Sequence, residues 1–274
     1  MTTAVITGAT HGLGRLVALD LARRGFRLGI VARDPAKVDQ PGVDVFIGDL
    51  SSMADVRRIA KEIDARYDRI DVLINNAGVH AFSQRVTGEG LAEMTAVNYL
   101  APWVLTNALR DKLIASAPAR IVTVASEASR HAGSVDPARD LTDTADYTRR
   151  GSAARYGRTK LMDIMFSQEL ARRLAGTGVT ANCCDPGFNT TGLGRELPFA
   201  GVLEKALRGL RVGDPGRGAA IITRLATDPA FATRTGGYFS VKDARPLECP
   251  EPGRGEAVQR RLWEATEQLT HTFG

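Results

Sequence analysis

Short runs rich in Val and Ile alternate along the chain with longer stretches whose apolar residues recur at helical spacing. The apolar runs predict strands over 3–8 (TAVITG), 27–32 (RLGIVA), 43–47 (VDVFI), 71–75 (DVLIN), 119–125 (ARIVTVA), 179–184 (VTANCC) and 236–240 (GGYFS). Between them the 3.6-residue period predicts helices near 13–24, 52–67, 89–115, 153–174 and 215–227. Ser52 with Asp55 predicts a capping box at the start of the second helix. Strands that are apolar throughout, rather than alternating, need cover on both faces. The pattern therefore predicts an α/β fold: a doubly wound parallel sheet of about seven strands with helices on both sides. No repeat, low-complexity tract or interdomain linker breaks the alternation, which predicts one domain over residues 1–274.

Two segments stand outside the pattern. Residues 131–152 (HAGSVDPARDLTDTADYTRRGS) are polar and predict a loop-like insert. Residues 188–213 are rich in Gly and Leu. Leu193, Leu197, Phe199, Val202, Leu203, Leu207 and Leu210 give them an apolar side, and Gly192, Gly194 and Gly201 supply hinges, so a substrate lid is expected there. The competing reading is an ordinary amphipathic helix over 196–210 packed on the sheet.

Composition narrows the function classes. The 43% hydrophobic content supports a sizeable core. A net charge of +5 and a pI near 9.3 suggest an acidic partner, but the arginines are dispersed among acids and no basic block occurs. That reads as a solvated surface and argues against a nucleic-acid partner. The three cysteines form no CxxC pair and are odd in number, which fits a reducing compartment. No leader-like segment opens the chain, and no apolar run reaches the roughly 18 residues of a membrane span. A cytoplasmic protein without a membrane partner is expected. His80, His131 and His271 lack metal-ligand spacing and Cys183-Cys184 fall in a buried strand, so no metal is expected.

Candidate chemistry begins after the first strand. Gly8-Ala9-Thr10-His11-Gly12-Leu13-Gly14 places three glycines at a strand–helix turn, where the backbone can approach a pyrophosphate and the helix N–H groups can hold it. The spacing is GxxxGxG rather than GxGxxG. At the end of the second strand, Arg33 suits a ribose 2′-phosphate, while Asp34 before Pro35 reads as a helix cap. His11 either assists the phosphates or fills the turn. Asp49, followed by Leu50, either accepts from an adenine amino group or is a polar loop residue.

The other candidate is Tyr156, four residues before Lys160. The chain holds six lysines among its 36 basic residues and only five tyrosines. A Tyr-x-x-x-Lys pair is expected by chance in about one such sequence in nine. On a helix the two side chains share a face. A free phenol titrates near 10, and a neighbouring ammonium, together with a positively charged nicotinamide in an oxidised complex, lowers that value by favouring the phenolate. Arginine's planar fork suits carboxylates and phosphates, whereas a compact ammonium can lie under the phenol and bond two ribose hydroxyls.

Together with Asn75-Asn76-Ala77-Gly78, the glycine turn and the Tyr156–Lys160 pair make the sequence resemble the short-chain dehydrogenase/reductase family from end to end. The resemblance implies a single NAD(P)-binding Rossmann domain and an NADP(H)-dependent oxidoreductase that interconverts a carbonyl and an alcohol. It implies Tyr156 as general acid/base, Ser126 holding the substrate oxygen, and Asn98 retaining a water that links Lys160 to solvent. It places Gly8, Thr10, His11, Gly12, Leu13, Gly14, Arg33, Asp49, Leu50, Asn76, Ala77, Gly78, Tyr156 and Lys160 at the cofactor. Pro186, Gly187 and Thr190 match the loop over the nicotinamide carboxamide. Ser126-Glu127-Ala128-Ser129-Arg130-His131 and the tail RGEAVQRRLWEATEQL resemble the retinol dehydrogenase and WW-domain oxidoreductase branch. Ser126 and Tyr156 stand 30 positions apart, farther than in the family's simplest members. The insert between them either walls the pocket or disturbs the helix packing through which many relatives form homodimers. No counterpart of the membrane anchor of animal retinoid enzymes is expected, so the resemblance does not imply retinoid turnover. Two other outcomes remain open on the same site: a redox-neutral isomerase, dehydratase or cyclase, and a non-catalytic NADP sensor.

Overall fold

The computed structural model describes residues 1–187 and 214–273. The segment expected to form the lid, and Thr190 with it, lies outside the described residues. The strands are β1 Thr3–Thr7, β2 Arg27–Ala32, β3 Asp44–Ile47, β4 Val72–Asn75, β5 Ala119–Val124, β6 Val179–Asp185, β7 Tyr238–Ser240 and β8 Pro246–Leu247. They form one sheet in the order β3-β2-β1-β4-β5-β6-β7-β8. Every neighbouring pair is parallel except β7–β8. The two-residue β8 makes eight strands where about seven were expected, being too short to show a period. The strand order reverses between β1 and β4, and that switch point opens a crevice beyond the strands' carboxyl ends.

The named helices are α1 Gly12–Arg23, α2 Met53–Arg66, α3 Ala101–Ala108, α4 Arg110–Ala115, α5 Pro137–Asp140, α6 Ser152–Arg173, α7 Pro215–Thr227 and α8 Glu256–His271. Successive strand side chains point to opposite faces, so each strand feeds two cores. Ile6, Ile30 and Ile74 pack against Val17 and Leu21 of α1 and Ile222 of α7. Val5, Leu73 and Ile121 pack on the other face against Ile59 of α2, Leu105 of α3 and Leu161 of α6.

Three elements differ from expectation. The helix expected over 89–115 is broken into a turn at Glu93–Thr95, a π-helical turn at Ala96–Leu100, α3 and α4. The π-turn carries Asn98, and such widenings displace one residue from the α-helical register. The insert is not all loop, since Asp136 accepts from Arg139 N to start α5. Its acids meet arginines of α6, with Arg158–Asp140 at 2.8 Å and Arg155–Asp143 at 2.7 Å. Finally, α8 falls outside the predicted helices because its buried stripe includes Gln259, Thr266 and Thr270, which blur the apolar period. Trp263 of α8 lies 5.5 Å from Trp103 and 5.9 Å, stacked, from Phe166. The expected capping box is half formed. Ser52 accepts from Asp55 N at 3.3 Å, but Asp55 accepts from Asp49 N, and Glu89 accepts from the first two N–H groups of α2, those of Met53 and Ala54.

Candidate active site

The turn after β1 is left-handed at Gly8 (φ +70°) and Gly12 (φ +57°), a region that favours glycine. At Gly14 an added Cβ would lie 2.3 Å from Gly8 O and 2.4 Å from Asn76 Nδ2, so only glycine lets α1 approach this closely. Asn76 Nδ2 donates to Thr7 O at 2.9 Å and Gly8 O at 3.1 Å. Thr7 Oγ1 accepts from Asn76 N and Ala77 N, each at 3.1 Å. Asn76 and Ala77 thus brace the glycine turn from β4. His11 caps α1 with extended backbone, contributes no side-chain cap bond, and lies 3.0 Å (Nδ1) from Thr10 Oγ1. Leu13 packs onto the α1-side core.

A cleft with about 400 Å³ of empty space opens at the switch point, lined by Gly8, Thr10, Arg33, Asp49, Leu50, Ala77 and their neighbours. Residues from five separate parts of the sequence meet there, Val97 being the fifth. Arg33 keeps 70% of its side chain exposed and stands 4.0 Å from Asp49. Asp34 accepts from Ala36 N at 3.1 Å ahead of Pro35, the cap read from the sequence. Asp49 Oδ1 accepts from Ser51 N at 2.8 Å, so it also organises its own loop.

On the far side of the crevice α6 carries Tyr156 and Lys160 on one face. The Tyr156 phenol faces Ser126, whose side chain favours the phenolate. Ser126 ends the strand β5 region and accepts from Ala128 N at 3.1 Å. Gly157 explains the close fit, because a Cβ there would fall 2.3 Å from Ala128 O. Lys160 Nζ donates to Val124 O and to Asp163 Oδ2, both at 2.8 Å, and lies 5.9 Å from the Tyr156 ring centre. Asn98 does not bond within its own helix. Its side chain accepts from Val79 N at 2.7 Å and donates to Val79 O at 2.9 Å and to Thr159 Oγ1 at 3.0 Å. A Cβ added to Gly78 would stand 3.6 Å from Asn98 Oδ1 and 3.7 Å from Lys160 Nζ, so that glycine borders both. Gly187 (φ +74°) follows Pro186 and packs against Val241.

Burial acts here beside the expected pull of the ammonium. Burial pushes the Tyr156 phenol above its ordinary value. Lys160 and Ser126 pull it down, while Asp163 and Asp185 push it up. The predicted pull of the ammonium is present, but burial outweighs it, and the acids around Lys160 were not anticipated. Lys160 itself is disfavoured as a cation by burial, yet Asp163 and Tyr156 outweigh this and raise it. Burial pushes the Asp163 carboxyl up to about 6 against the pull of Lys160.

Sequence reasoning missed three neighbours. Asp163 is a lone acid inside the apolar run LMDIMF, which is a visible signal for a buried partner. Gly157 had no signal beyond its place after Tyr156. His80, expected to be merely structural, stacks on Tyr156 with ring centres 4.8 Å apart at 16°, and its Nε2 lies 3.2 Å from Ser152 Oγ. Among the described residues no cluster of three His, Cys, Asp or Glu could hold a metal. No described helix is long and apolar enough to cross a membrane.

The family model for short chain dehydrogenases matches residues 2–138. The chain is 35% identical to human (Homo sapiens) retinol dehydrogenase 13 over 285 residues, covering 97% of this chain and 84% of that protein. It is 34% identical over 274 residues to a Streptomyces sp. (strain C5) protein provisionally described as a daunorubicin C-13 ketoreductase, covering 96% and 91%. Among solved structures, the Pseudomonas aeruginosa RhlG/NADP active-site complex superposes with a TM-score of 0.67 at 26% identity, over 87% of this chain and 94% of that one. A likeness that runs through nearly the whole chain, on a sheet with this switch point, shows that the protein belongs to the short-chain dehydrogenase family of oxidoreductases and resembles its retinol dehydrogenase branch.

Proposed function

We propose that the protein is an NADP(H)-dependent oxidoreductase that interconverts a carbonyl and an alcohol on a fairly apolar small molecule. The observation that carries this reading is that Tyr156, Ser126 and Lys160 come together, with Gly78 bordering Lys160 and the adjoining Asn76 and Ala77 bracing the glycine turn.

The residues present fit a dinucleotide. Left-handed Gly8 and Gly12, with α1 drawn close at Gly14, bring the N-terminal N–H groups of α1 to the turn, where they can hold a pyrophosphate. No acid stands in the first turn of α1 to compete with phosphate for its N–H groups. Gly8, Thr10, His11, Gly12 and Leu13 would hold the pyrophosphate, Arg33 a 2′-phosphate, Asp49 and Leu50 the adenine. Asn76, Ala77 and Gly78 would support the ribose side, with Pro186 and Gly187 at the nicotinamide. When bound, the dinucleotide supplies or accepts the hydride.

The chain's own residues handle the oxygen and its proton. Ser126 donates to the substrate oxygen and holds it at the phenol. Tyr156 gives its proton to that oxygen in reduction and takes one from the hydroxyl in oxidation. Lys160 keeps its charge beneath the ring, and Asn98 fixes the Val79 backbone and the helix face at Thr159 that flank the lysine. An apolar surround of Val79, Ala81, Met94, Ala128 and Tyr147 about Tyr156 favours an apolar substrate.

The test is NADPH oxidation across a panel of apolar aldehydes, ketones and quinones, with mass analysis of the products. Carbonyl-dependent oxidation with an alcohol product is expected. Turnover without net change in the reduced nicotinamide, or a kinetic preference for small charged carbonyls, would refute the reading.

A further inference from the structure

Lys160 is not the lone charge beneath the tyrosine. Asp163, one helical turn further along α6, is 1% exposed and Lys160 3% exposed. The two side chains bond at 2.8 Å, and the remaining oxygen of Asp163 has no hydrogen-bond partner among the described residues. A helix surface that packs into the core gains nothing from an acid there, since burying a carboxylate is costly unless its charge does something.

We propose that Asp163 is the counter-ion of the Tyr156–Lys160 pair, a positioning residue that sets, through Lys160, the pH at which Tyr156 exchanges its proton. The inference rests on the function proposed above. With Asp163 ionised, the cation under the phenol is compensated and stabilises the phenolate less than an uncompensated lysine does. The pair is then tuned toward keeping the phenol protonated, the form that reduction of a carbonyl requires.

The surrounding groups leave this role to Asp163. Tyr156 and Lys160 face it from its own helix. From β6 come Cys183 and Cys184, both held neutral by burial, and Asp185, whose charge also reaches Tyr156. Tyr99, on the π-turn, is likewise kept neutral by burial. Asp185 bonds the Glu127 backbone at 3.1 Å rather than Lys160. Burial holds the Asp163 carboxyl at about 6, so it is charged at neutral pH and becomes neutral in mild acid.

The experiment is the pH dependence of kcat/KM for NADP-dependent oxidation of the alcohol product, in the wild type, Asp163→Asn and Asp163→Glu. Asp163→Asn removes the negative charge at nearly constant shape. Its rising limb is expected to move to lower pH by about one unit, a roughly tenfold gain relative to its plateau at a fixed pH on the limb. Asp163→Glu restores a carboxylate and is expected to return the limb toward the wild-type position. Should the asparagine variant not fold, Asp163→Ser removes the same charge with less bulk and reads the same shift. A limb that stays in place, or moves upward, in the neutral variants overturns the inference, because a merely structural acid would alter stability and not the profile. Tyr156→Phe separates the two readings. If it retains turnover, the proposed function fails. If it is inactive while the neutral variants keep the wild-type limb, only the role of Asp163 fails.

Discussion

At the β1 turn the crevice is shaped by atoms that are missing, whereas at α6 it is shaped by charges taken out of water. Gly8, Gly12 and Gly14 open the backbone by having no side chains, and Asn76 and Thr7 brace it with short neutral hydrogen bonds. Across the crevice Lys160 and Asp163 are both buried and matched at 2.8 Å. The first end depends on sterics and is indifferent to pH in its construction. The second depends on a balance of burial against charge, in which the same lysine that lowers Tyr156 is itself compensated by Asp163. On the proposed function, binding and proton transfer fall to separable physical devices, and substitutions at each end should fail differently.

The largest effect is expected at the charged end. Tyr156→Phe removes the proposed proton carrier while leaving the ring against His80, where it stacks at 4.8 Å. Turnover is expected to fall by about 10²–10⁴-fold, with dinucleotide affinity kept. Steady-state rates alongside a fluorescence titration of NADPH check both halves. Loss of binding together with rate would show that the two ends are not separable.

Two alanines sharpen the contrast, because each meets backbone oxygen at the same 2.3 Å. Both are expected to lower stability by about 1–3 kcal/mol through overpacking. Gly14→Ala should forfeit dinucleotide binding, since the turn itself must open around Gly8 O. Gly157→Ala should keep the dinucleotide dissociation constant but lose turnover, since the Ser126 turn is driven away from Tyr156. Thermal melts, cofactor titration and kcat distinguish them. Equal losses of binding in the two variants would break the division.

How much of this was legible follows the same line. The glycine turn, Arg33 and the Asp34 cap are local, and each could be read within a few residues of sequence. The strand and helix order was legible because buried parallel strands announce themselves as unbroken apolar runs. Asp163, Gly157 and the stacking of His80 are products of tertiary packing. Lys160's charge was visible in the motif, but its compensation required knowing which face of α6 is buried. The same holds for α8, whose inner face reads as polar because Gln259, Thr266 and Thr270 lie among its buried positions. The π-turn at Asn98 was hidden because a one-residue widening leaves the apolar pattern nearly unchanged.

The smallest effects test how finely the neutral end can be divided, at two adjacent residues of opposite charge. Arg33 stands 70% exposed at the cleft, near Asp49 at 4.0 Å, where a 2′-phosphate would offer it a stronger partner. A charge-assisted bond of this kind is worth roughly 1.5–3 kcal/mol, or about 10–100-fold, so Arg33→Asp should erase or invert a preference for NADPH over NADH. If the wild type binds NADH as tightly as NADPH, that assignment is wrong. Asp34 is the opposite case. Its carboxylate is committed to Ala36 N at 3.1 Å, and it pairs with Lys37 at 3.3 Å on the surface. Asp34→Ala should therefore cost only the cap, about 1 kcal/mol of stability, and leave the NADPH-to-NADH affinity ratio within about threefold of wild type. Were Asp34 instead the acid that accepts a ribose 2′-hydroxyl, its removal would weaken NADH selectively, by about tenfold, and raise the ratio. Paired titrations of both dinucleotides on both variants decide between a phosphate-reading arginine beside a capping acid and a hydroxyl-reading acid beside a bystander arginine.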